Sequence, residues 1–115
     1  MSFPSFYEQA PSIRLRDPLA EFLGAAEGGV IHYTYADIVK LAGHSCPTVA
    51  GAYLMTVKAL KTLYGEDLPE RGSIKVIFGE SSSDGVTGVI ANVVSFLTGA
   101  TTDTGFKGLR GHFDR

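Results

Sequence analysis

His44 and Cys46 stand two residues apart in "LAGHSCPTVAGAYL", residues 41–54, and Cys46 is the only cysteine of the chain. Pro47 follows at once, and proline suits the first position of a helix because its missing N–H would have no partner there. Cys46 is thus expected at or beside the N-cap of a helix over 47–64. The free amides and dipole at a helix start favour an anion, which lowers the thiol pKa and stabilises the thiolate. With Ser45 as spacer in an extended stretch, the side chains of His44 and Cys46 share a face and that of Ser45 turns away. An imidazole near a thiolate serves either of two chemistries. It is a second ligand for Zn²⁺ or another transition metal, or a base that activates Cys46 as a nucleophile. Against both stands the plain reading, a cysteine packed as a small hydrophobe and a histidine held by ordinary hydrogen bonds.

The pair alone does not complete a metal shell, since zinc takes roughly three or four protein ligands. Glu80, Asp84 and His112 are the candidates to complete it. Glu80 closes the stretch "SIKVIFGE", Asp84 opens a helical pattern, and His112 lies in "LRGHFDR". Ends of strands and starts of helices are places where sites collect. Each also has a bland role: Asp84 as a helix cap, His32 as a solvent-facing strand residue, Asp103 as a turn residue. "GATTDTGFKG" lacks the spacing of a phosphate-binding loop, and no G-x-S-x-G, H-E-x-x-H or C-x-x-C pattern occurs.

The elements that must position these residues follow from periodicity. Residues 1–16, with Pro4, Pro11 and the aromatics Phe3, Phe6 and Tyr7, show no period and are expected as an extended arm packed on the body or on a partner chain. A single domain is expected over 17–115. Asp17 and Pro18 open a helix whose face is Leu19, Phe22, Leu23 and Ala26, stopped by Gly28 and Gly29. "VIHYTY" reads as a strand. Thr34 opens a short helix carrying Ile38, Leu41 and Ala42. The 47–64 helix has Val49, Tyr53, Val57, Leu60 and Tyr64 on one side, while Gly51 and Ala52 permit close approach by a neighbour. "SIKVIFG" is the clearest strand, with Ile74, Val76 and Phe78 alternating against Lys75. A last helix over 85–98 buries Val86, Val89, Ile90, Val93, Val94 and Leu97, and a short strand is expected around Phe106. Intermixed helices and strands give an α+β fold, with helices covering one side of a mixed sheet.

Composition limits the function. At 115 residues, 44% hydrophobic and 19% charged, the chain is of ordinary globular type. A net charge of −2 argues against nucleic acid, which needs a concentrated basic face. No apolar run reaches the roughly 20 residues of a bilayer span, and the N-terminus lacks a signal-peptide pattern, so a cytoplasmic location is expected. One cysteine forms no internal disulfide. The arm and the apolar last helix together offer more apolar surface than a chain of this size readily buries, so a homodimer is expected.

The stretch "DIVKLAGHSCPTVAGAYLMTVKALKTLYG" resembles the FmdE-like family, named for a component of formylmethanofuran dehydrogenase. Gly43, His44, Cys46 and Pro47 match its G-H-x-C-P element, and Gly51, Tyr53, Ala59 and Leu60 follow in the helix. "IKVIFGE" is similar to its strand ending in glutamate, and "LTGATTDTGFKG" to its G-C-T-x-G-K-G stretch. The resemblance covers roughly residues 35–110. It implies an FmdE-like α+β core, usually dimeric, with a metal or active site at the His-Cys loop. A subunit or accessory role in one-carbon or redox metabolism would follow. The family's later core cysteines are absent: Ala100 takes one place and Asp84 falls near the other. A metal would therefore rely on His44, Cys46 and harder ligands. A cysteine nucleophile acting on a small substrate and a structural adaptor without chemistry remain the alternatives.

Overall fold

Residues 12–16 form a pattern in which every second side chain turns inward. Ile13 and Leu15 are buried, while Arg14 and Arg16 face solvent. This alternation is that of a half-buried strand, and in the computed structural model β1 (Ile13–Arg16) pairs antiparallel with β2 (Val30–Tyr33). The register sets Ile13 opposite Tyr33 and Leu15 opposite Ile31. The structure describes residues 3–81, 83–101 and 105–113. The arm expected over 1–16 is, in its described residues 3–16, not extended throughout: a 3₁₀ turn at Ser5–Gln9 precedes β1. Phe3 and Tyr7 fold back onto the core, with the Tyr7 ring edge-on to Tyr35 at 5.0 Å.

Among the described residues four α-helices accompany the sheet, making the fold α+β. α1 (Pro18–Phe22) begins as expected, with Asp17 accepting from the amides of Leu19 and Ala20 at 3.0 and 3.2 Å. It runs only to Phe22, and Phe22 and Leu23 are 65% and 61% exposed, so the apolar face foreseen here is not core. α2 (Tyr35–Ala42) is opened by Thr34, whose N–H donates to the Asp37 carboxylate at 2.9 Å. It closes on Gly43 at φ 80°, a left-handed value that glycine takes without strain. α3 (Pro47–Tyr64) has the bounds its spacing predicts, and Val49, Tyr53, Val57 and Leu60 are buried. α4 (Thr87–Thr98) packs against α3 and buries Val93, Val94 and Leu97, leaving Val86 and Val89 in solvent.

The sheet is smaller than expected. Among the described residues, "SIKVIFG" pairs with no strand, the chain bending at Ser73 and Gly79, and no strand forms around Phe106. Strand propensity is realised only where a partner supplies hydrogen bonds, and none of the described residues does so for 74–79. The parallel component of the anticipated mixed sheet shrinks to one bridge, in which Arg16 N–H donates to Pro69 O and Arg71 N–H to Arg16 O. Arg71 then fastens the layers. Its guanidinium pairs with buried Asp17 at 2.9 Å and donates to the Phe96 carbonyl of α4 at 2.7 Å. Gly51 lies exposed with open space beside it, so no neighbour among the described residues uses the close approach expected there.

Candidate functional site

Two helix ends build the His-Cys loop. α2 stops at the left-handed Gly43, whose N–H still donates to Val39 O at 2.8 Å. α3 starts at Pro47 with Cys46 as its N-cap in extended conformation (φ −151°, ψ 169°). Only three residues remain to connect them, and each has a distinct role. The Ser45 hydroxyl meets the Tyr35 hydroxyl at 2.6 Å, which pins the loop to the buried start of α2. His44 Nδ1 lies 3.1 Å from Ala42 O, so that nitrogen carries the proton and donates. Cys46 is half-buried against the core cluster.

The electrostatics run as the helix start requires. The amide of Val49, third in α3, is the largest influence lowering the Cys46 pKa, with His44 and the Thr48 amide adding to it against partial desolvation. No capping hydrogen bond of standard geometry reaches the sulfur, so the amides act through their orientation and field. The His44 pKa is raised, first by its bond to Ala42 O and then by Cys46. Each group therefore favours the charged form of the other, a thiolate beside an imidazolium. Such a pair is a nucleophile with an acid–base partner, or a soft-plus-borderline donor set.

The other expected ligands do not gather there. Among the described residues no three His, Cys, Asp or Glu side chains form a metal-sized cluster. Glu80 accepts from the Thr87 hydroxyl at 3.1 Å. Asp84 is not the α4 cap: its carboxylate accepts from Ser81 N–H at 3.3 Å, and Val86 holds the cap position. His112 sits exposed in a tight turn bonded to Leu109, its ring 6.3 Å from Phe113. His32 faces solvent on β2, as expected. Asp103 lies outside the described residues. Among the described residues the donors at the loop therefore fit a borderline metal in type but fall short in number. Tyr35 was not foreseen as a positioning residue, and ten residues of separation from Ser45 left no spacing signal for it. The chain matches no protein-family model, no curated protein and no solved structure.

Proposed function

We propose that this chain is an FmdE-like metal-binding domain in which His44 and Cys46, at the mouth of α3, supply a nitrogen and a sulfur donor to a zinc-type ion. The observation that carries the reading is the convergence of both side chains on one loop between two helix ends, with Ser45 turned to Tyr35 instead. When bound, the ion would supply Lewis acidity at a position with open coordination sites, because the described residues offer two donors at the loop. Water, a substrate or a second chain would fill the others. In this reading Ala42 O holds the imidazole through Nδ1, leaving Nε2 as the donor nitrogen.

The test is Co²⁺ titration of the purified chain followed by absorbance, with zinc competition. A thiolate–cobalt charge-transfer band is expected, lost in Cys46→Ser and weakened in His44→Ala. Serine at an N-cap is a good replacement, so Cys46→Ser should keep its circular dichroism and Tm. Equal metal uptake by wild type and Cys46→Ser, or none by either, would reject the reading. A second reading rests on the two-donor count. Cys46 then acts alone as the nucleophile of a small-substrate enzyme, with His44 as its acid–base partner.

A further inference from the structure

The edge of β1 that faces away from β2 is only half used. Asp17 N–H donates across the sheet to Gly29 O, whereas Arg16 N–H donates to Pro69 O and Arg16 O accepts from Arg71. Backbone groups alternate in direction along an antiparallel strand. Arg14, set opposite His32, therefore turns its N–H and C=O to the same free edge as Arg16. Among the described residues neither group finds a partner there. The path of the chain is the reason: α3 ends at Tyr64, and the segment that follows reaches the β1 edge only at Pro69.

The gap is a cleft of 280 Å³, walled by Arg14, Lys61 and Asp67 over the apolar Ile13, Leu68 and Pro69. Arg14 comes from β1 and Lys61 from the last turn of α3, a helix that carries no acidic residue. Among the described residues neither side chain has an ion-pair or hydrogen-bond partner. An arginine fork, a lysine point charge and a free backbone amide at one cleft are the donors that an oxyanion requires. Asp67 sets the charge that suits it. Two cations and one carboxylate leave one positive charge in the wall, which matches a monoanion better than a dianion.

We propose that this cleft binds a small organic carboxylate. Its oxygens accept from the Arg14 N–H and guanidinium and from Lys61. Its aliphatic part lies over Ile13 and Pro69 and covers Leu68, which is 45% exposed. The site is independent of the His-Cys loop, since Cys46 opens α3 and Lys61 stands roughly 22 Å further along the same helix.

The test is titration of ¹⁵N-labelled chain with isocaproate at low salt, where surface charges are least screened, followed by amide NMR shifts. Isocaproamide and inorganic phosphate are the controls. Saturable shifts at the Arg14 and Leu68 amides are expected with the carboxylate at millimolar concentration, none with the amide and weaker ones with phosphate. Arg14→Gln and Lys61→Gln should each weaken binding about five-fold, the usual worth of one exposed charge, at unchanged circular dichroism. Lys58→Gln removes a charge from the same helix outside the cleft and should change little. Four results would overturn the assignment: no saturation by isocaproate, equal binding of isocaproamide, phosphate bound as tightly, or a loss in Lys58→Gln equal to that in Lys61→Gln.

Discussion

Cys46 has no partner cysteine, and its chemistry is set by what the chain places around the sulfur. The Val49 amide is the first cause of its lowered pKa and His44 a lesser one. The sign follows directly. A depressed thiol pKa means that the thiolate persists as pH falls, until the folded pKa is crossed, and the stability linked to it is lost below that point. The raised His44 pKa acts oppositely: its contribution is full below the ordinary histidine value and is lost as pH rises through the raised one. Iodoacetamide modification of Cys46 should therefore begin at lower pH than that of a free thiol in a short peptide. In His44→Ala the onset should move upward but stop short of the peptide value, because the helix amides remain. A midpoint indistinguishable from the peptide in wild type would show an inert thiol.

At the scale of elements, α3 illustrates what helical spacing can and cannot specify. Its bounds and its buried side follow from Pro47 and from the recurrence of Val49, Tyr53, Val57 and Leu60. Tyr53 is also held by polarity: its hydroxyl donates to Pro11 O at 2.6 Å, and burial, with Asp37 nearby, pushes its pKa up to about 12. Gly51 is the exception on the helix. It is exposed, with helical backbone and open space where a Cβ would go. Gly51→Ala should raise stability by ~0.5–1 kcal/mol, the usual gain in an exposed helix interior, read as a higher urea midpoint at unchanged slope. A lower midpoint would mean that something packs on that face in solution.

For the whole molecule, one side chain ties several elements together by polar contacts beside the shared apolar core. Arg71 reaches Asp17 at the start of α1, the Phe96 carbonyl of α4 and, through its backbone, Arg16 of β1. Asp17 is only 3% exposed, so removing Arg71 takes a charge-neutralising hydrogen-bond donor from a nearly buried carboxylate. Arg71→Met should cost about 3 kcal/mol, and Asp17→Asn in that background should recover part of it. Urea unfolding of the four variants checks both, and a loss under about 0.5 kcal/mol would mean that water compensates the pair. Among the described residues no helix is long and apolar enough to cross a membrane, and no buried side-chain nitrogen or oxygen lacks a partner. The exposed apolar surface lies partly where expected, at Phe6 near the N-terminus and at Val86 and Val89 around the start of α4, whereas Phe3 and Tyr7 pack on the core and Met55, Leu63 and Ile77 also stand open.

By itself the sequence determined what depends on neighbours along the chain. Asp17-Pro18 starts a helix, Gly43 ends one, and Cys46-Pro47 places a thiol at a helix mouth, each through local backbone geometry. The tertiary structure alone decided everything that needs a partner far away in sequence. Residues 13–16 became a strand because 30–33 lie alongside to share their hydrogen bonds, and residues 73–79, with stronger strand composition, find no such partner among the described residues. The same reason governs the site. His44 and Cys46 share a loop because Ser45 spaces them, whereas Glu80, Asp84 and His112 had to be carried there by folding and are held instead by Thr87, Ser81 and Leu109. A side chain's type declares what it could ligate, but only the path of the backbone brings ligands together.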